Sequence, residues 1–151
     1  MSNPLAPVVT LDGPSGSGKG TVARRVARAL DWHLLDSGAL YRLAGLAADR
    51  AGLTPADEAG VEEMAKMAAN LDVRFTTDAE GMEQIWLAGE NVSDALRTEE
   101  TGRLASQVAA QPAVREALLG LQRGFRRAPG LVADAARRIS SAACLGGSTA
   151  V

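Results

Sequence analysis

Apolar residues recur along this chain in alternating rhythms, short runs followed by longer stretches spaced three and four apart. Val8-Val9-Thr10-Leu11 is the first run and reads as a buried central strand. Lys19 to Leu30 carries Val22, Val26, Ala27 and Leu30 at helical spacing, with Arg24, Arg25 and Arg28 outside. His33 to Asp36 reads as a second short strand, ended by Ser37-Gly38. Ala39 to Ala51 is helical, with Leu40, Leu43, Leu46 and Ala47 on one face and Gly52 as its stop. Thr54-Pro55-Ala56-Asp57 is a helix start, Pro55 taking the first helical position, and that helix runs to about Asn70.

The period then falls to two. Val73 to Thr76 and Gln84 to Leu87 alternate around Asp78-Ala79-Glu80-Gly81, which predicts a β-hairpin of exposed character. Ala88-Gly89-Glu90-Asn91 is a second turn leading into Val92. Helical spacing returns over Thr98–Ala110 and from Pro112 to about Arg126, and Pro129-Gly130 is a turn. Leu131 to Asp134 reads as a short buried strand ending in a carboxylate. The order predicts an α/β fold, a parallel sheet with flanking helices, interrupted by a small antiparallel β insertion. Residues 135–151 are small and basic without acidic residues, and Gly146 to Ala150 resembles a linker, so this tail is expected to be poorly ordered.

Composition narrows the class. The 151 residues suit one domain with a single core, and 46% apolar with 23% charged is the balance of a soluble globular protein. A net charge of −2 argues against a surface built for polymeric DNA or RNA, or for an anionic membrane. The single cysteine, Cys144, and single histidine, His33, leave no internal disulfide, histidine triad or zinc site. No signal peptide or apolar run of membrane-spanning length is found, so a cytoplasmic protein is expected.

The chemistry lies in Gly13-Pro14-Ser15-Gly16-Ser17-Gly18-Lys19-Gly20-Thr21, between the first strand and the first helix. That is the setting of a phosphate-binding P-loop. Glycines let the backbone wrap an anion, successive N–H groups point inward at a helix N-terminus, and Lys19 reaches the terminal phosphates. The usual loop places Ser or Thr directly after the lysine; here Gly20 follows and Thr21 comes one later. Lys-Gly-Thr resembles the loop of nucleoside monophosphate kinases.

Three further segments sharpen that resemblance: Leu34 to Arg42, Ala105-Ser106-Gln107-Val108-Ala109-Ala110 with Pro112 to Leu119 behind it, and Pro129 to Asp134. Together with the loop, in this order from about Pro7 to Asp134, they resemble bacterial cytidylate kinases. The resemblance implies a P-loop nucleoside monophosphate kinase core over residues 1–134, with a monophosphate-binding insertion at about 55–97. It implies transfer of the γ-phosphoryl group of ATP, with Mg²⁺, to CMP or dCMP by a monomer. Ser37 and Arg42 would hold the monophosphate, Ser106 and Arg115 would read the cytosine edge, and Asp134 would reach a metal-bound water. Without the resemblance, Arg42 reads as a solvated helix arginine and Ser37 as a helix N-cap. Arg115 then reads as a partner of Glu116 or Glu99, and Ser106 as an ordinary helix serine.

After Asp134 the family continues with Gly-Arg-Asp and an apolar strand, where this chain has Ala135-Ala136-Arg137-Arg138. The expectation is therefore a cytidylate kinase truncated or frameshifted after Asp134, without the remaining strands, the arginine-bearing lid and the adenine loop. Its turnover is expected near zero. A non-catalytic nucleotide-binding remnant and another P-loop small-molecule kinase are the alternatives.

Overall fold

The structure, a computed structural model, describes residues 6–14, 16–135 and 149–150. They fall into two compact units, one of residues up to Gly38, Phe75–Glu83 and from Gln122 onward, the other of Ala39–Arg74 and Gln84–Leu121.

The first unit is built on a parallel sheet. Its strands are β1 (Val8–Asp12), β2 (His33–Asp36), β6 (Leu131–Ala135) and β7 (Thr149–Ala150), in the order β2-β6-β1-β7. The register sets Leu11 and Asp36 on either side of Asp134, so two neighbouring strands carry carboxylates at the same level near their carboxyl ends. Of the tail, Thr149–Ala150 pair with Val9 and Thr10, and the remainder beyond Ala135 lies outside the described residues.

Helix α1 (Lys19–Leu30) follows β1 with the bounds its periodicity predicts, and Val26 and Ala27 of the predicted stripe meet the core, but the buried face is shifted toward Ala23. Ala23 and Ala27 pack with Leu34 and Val132, while Val22 and Leu30 are 49% and 45% exposed. Two alanines one turn apart let the helix lie close to the sheet, and the face is rotated accordingly. Arg24, next to Ala23, is consequently half-buried rather than outside. Trp32 joins the rim of this core above Gly130, where a Cβ would fall 2.4 Å from the indole. Phe75 and Phe125 stack with ring centroids 5.7 Å apart. His33 Nε2 lies 3.0 Å from the Ala128 carbonyl oxygen, a structural bond.

Helix α2 (Ser37–Arg50) starts directly at the end of β2, two residues before the Ala39 start that its apolar spacing predicts. In the second unit it crosses α5 (Glu99–Ala109) at Gly45, where a Cβ would stand 2.9 Å from the backbone of Leu104 and Ala105. Helix α3 (Glu58–Ala69) begins three residues later than Pro55 suggests. Asp57 caps it by accepting from Gly60 N–H at 2.7 Å, and the chain before it folds back so that Thr54 O closes on Gly60. Thr98 caps α5 in the same manner, accepting from Thr101 N–H at 3.2 Å. Helix α6 is Pro112–Gly124. The short α4 (Ser93–Leu96) escapes periodicity because four residues hold no repeat.

The period-two segments form an antiparallel sheet in the order β3-β4-β5: Val73–Thr77, Glu83–Leu87 and Glu90–Asn91. Ala88 and Gly89, at φ 50° and 83°, make the tight turn between the last two strands. The sheet is not exposed throughout, because Val73, Ile85 and Leu87 are buried.

Candidate functional site

The glycine loop and the strand ends of the first unit enclose an open cleft of about 600 Å³. It is lined by the loop, Lys19, Thr21, Arg24, Asp36 and Asp134, at the carboxyl ends of the parallel strands. Gly16 and Gly18 have φ of 77° and 84°, values that require glycine in the turn. Gly18, which has no side chain to cap with, also occupies the N-cap of α1, so the helix begins at the cleft on a bare glycine turn. Such an end favours an anion. Ser15 lies outside the described residues, and Ser17 and Pro14 are exposed.

Lys19 Nζ stands 3.0 Å from Asp134 Oδ1, the two side chains 17% and 13% exposed. Burial pushes the Asp134 carboxyl above the ordinary carboxylate range; the Lys19 hydrogen bond opposes this and the charge of Asp36 adds to it. A Cβ at Gly20 would lie 3.3 Å from Asp134 Oδ2 and 3.4 Å from Arg24 Nη1, so a side chain there would bear on the ends of both. Thr21 Oγ1 accepts from Arg24 Nη2 at 3.3 Å. Ser37 is fully buried and its hydroxyl donates to the Asp134 carbonyl at 2.9 Å, tying α2 to β6.

One carboxylate of this unit has no place in the sequence reading. Glu83 heads β4 and is hydrogen-bonded to Asp36. Burial, then the charge and hydrogen bond of Asp36, push its carboxyl up to about 8, with Arg24 opposing. Strand parity held the clue: Glu83 shares a face with Ile85 and Leu87, both buried.

The second unit gathers the other candidates. Arg42 Nη1 donates to Leu96 O at 2.7 Å, and its guanidinium lies over Gly102, where a Cβ would be 3.5 Å from Nη2. Ser106, one turn along α5, donates to Gly102 O at 3.2 Å. Arg115 donates from Nη1 to Ala109 O at 2.7 Å, at the C-terminal end of α5, rather than pairing with Glu116 or Glu99. Burial raises the Tyr41 phenol while the Arg115 charge pulls it down, which puts a half-buried aromatic ring in the same group. Tyr41 too was missed; it lies beside Arg42 in the sequence.

A sequence profile of cytidylate kinases matches residues 9–142. The chain belongs to the cytidylate kinase family. It is 58% identical over 133 residues to the cytidylate kinase of Pseudomonas fluorescens, covering 87% of this chain and 57% of that protein. It is 56% identical over 128 residues to that of Colwellia psychrerythraea, covering 85% and 55%. The enzyme of Nitrosococcus oceani is 54% identical over 129 residues, covering 85% and 56%. The chain thus spans little more than half the length of these relatives. The cytidylate kinase match takes in every candidate residue, from Gly13 to Asp134. Among the described residues no helix is long and apolar enough to cross a membrane. Nor do three His, Cys, Asp or Glu side chains group there as a metal cage.

Proposed function

We propose that this cytidylate kinase family member carries the site for transfer of the γ-phosphoryl group of ATP to CMP or dCMP, giving ADP and CDP or dCDP, with turnover by this chain impaired. The observation that carries the reading is the Lys19–Asp134 pair beside a glycine-turned helix N-terminus. ATP phosphates bind the glycine loop from Gly13 to Thr21, and Lys19 exchanges Asp134 for phosphate oxygens. Asp134, so released, suits Mg²⁺, which takes one or two carboxylates plus phosphates and water rather than a protein cage. Asp134 would hold Mg²⁺ there, and the ion would supply charge neutralisation on the phosphates.

Phosphoryl transfer needs positioning and cations more than covalent help. A phosphate oxygen of the monophosphate forms the new bond to the γ-phosphorus as the bond to the ADP oxygen breaks. Arg42, planar and held over Gly102, can fork onto the monophosphate, with Ser37 supporting that end of α2. Ser106 and Arg115 offer a hydroxyl and a guanidinium to the cytosine edge. Uracil presents the opposite donor–acceptor pattern at two positions and would match these groups less well. The chain acts as a cytoplasmic monomer on mononucleotides.

The test is calorimetric binding of Mg-ATP, CMP, dCMP, UMP and AMP, followed by assay of ADP formation. Expected are ATP binding and a preference for CMP over UMP of at least about tenfold, with ADP formation by this chain near zero. ATP binding with no preference among the monophosphates overturns the cytidylate reading and leaves a nucleotide-binding module.

A further inference from the structure

Arg24 lines the same cleft as Lys19, and its side chain is only 19% exposed. Its Nε donates to Gly81 O at 3.3 Å, its Nη2 to Thr21 Oγ1 at 3.3 Å, and its Nη1 lies 3.6 Å from Glu83 Oε2. The hairpin tip that offers Gly81 O is itself fixed. Asp78 Oδ1 accepts from the N–H groups of Glu80 and Met82 at 3.0 and 2.9 Å, and Gly81 has φ 81°.

A guanidinium carries five N–H donors. These contacts leave one N–H on each terminal nitrogen. Nη1 also comes within 3.4 Å of where a Cβ of Gly20 would stand, so the arginine reaches back to the first turn of α1. Burial and the neighbouring Asp36 push the Glu83 carboxyl up to about 8, so it offsets less of the arginine's charge than an ordinary carboxylate would. Lys19 and Arg24 then face Asp36 and Asp134, a balanced set into which phosphates can exchange.

Resting on the proposed ATP site, we propose that Arg24 is a second phosphate-binding cation of the cleft, with Gly81 O and Glu83 as the positioning groups that hold its guanidinium there. Lysine can supply charge at this place but not the planar fork that engages two phosphate oxygens. A pure counter-ion for Asp36 and Asp134 is the competing role.

Binding of Mg-ATP, inorganic tripolyphosphate and adenosine to Arg24→Met, Arg24→Lys and Glu83→Gln proteins separates the two, with thermal unfolding of each as a folding control. Expected for Arg24→Met is a loss of about tenfold or more in affinity for ATP and tripolyphosphate, with adenosine unchanged. Arg24→Lys, which keeps the charge and fold, recovers part of the loss, and Glu83→Gln shows a smaller loss confined to the phosphate-bearing ligands. Unchanged affinity for ATP and tripolyphosphate in Arg24→Lys and a folded Arg24→Met overturns the proposal. A wild-type chain that binds neither ligand overturns the ATP site itself, and the wild-type measurement alone distinguishes that failure.

Discussion

A methyl group is the smallest side chain that can be added at Gly130, and the fold has no room for it. The added carbon would lie 2.4 Å from Trp32 Cδ2, so the indole must leave its place at the edge of the first unit's core. Gly130→Ala is expected to cost about 1–3 kcal/mol, as overpacking does. Urea titration followed by Trp32 fluorescence, in a Trp86→Phe background, checks it; an unchanged midpoint would mean the ring moves freely. The Pro129-Gly130 turn is legible in the sequence, but the reason for glycine is not, because the ring that demands it is distant in the chain. The same contrast divides the site. Lys19 and its glycines were legible because the loop's chemistry is written in consecutive residues. Arg24 and Glu83 were not, since a helix arginine and a strand glutamate become site residues only where the hairpin tip meets α1. Asp134 could be marked as a strand-ending carboxylate, while its pairing with Lys19 depends on β6 lying next to β1.

Elements were read more securely than their edges. The parallel strands β1, β2 and β6, the hairpin and the long helices follow from period, whereas β7 lies in the tail read as a linker, and α3 starts directly after Asp57, whose side chain caps it, and not at the proline that favours a start. The buried face of α1 follows from helix–sheet distance, which favours alanine over the larger residues in the predicted stripe. Closeness also governs α2 and α5. At Gly45 a Cβ would meet backbone atoms of Leu104 and Ala105 at 2.9 Å, and backbone cannot turn aside as a side chain can. Gly45→Ala is therefore expected to destabilise by about 1–3 kcal/mol despite alanine's better helix propensity. By parting the helices it also shifts Arg42 off Gly102, so CMP affinity should fall while ATP affinity holds. Gly120→Ala is the control: nothing lies within 4 Å of that position in α6, and the substitution should stabilise by about 0.5–1 kcal/mol. Equal effects at the two positions would show that propensity, not the crossing, decides.

At the scale of the whole molecule, the proton held by Glu83 couples the hairpin to the stability of the chain. Burial and Asp36 push its carboxyl from the ordinary 4.5 up to about 8, Asp134 adding to the rise and Arg24 opposing it. The unfolded chain releases that proton near 4.5 and the folded chain near 8, so between those values the folded state binds more protons. This contribution to stability is complete below the unfolded value and is lost as pH climbs through the folded one. Asp134, raised in the same direction by burial, adds to the trend. Thermal unfolding of the wild-type chain should therefore shift to lower temperature from pH 5.5 to pH 8.5. In Glu83→Gln, an amide keeps the shape and can still hydrogen-bond Asp36 but has no proton to lose, and the shift should shrink. Parallel pH dependence in the two proteins would show that the proton is shared elsewhere. A reduced dependence would make Glu83 neutral where the protein is stable, which is the condition under which Arg24 keeps a net charge facing the cleft.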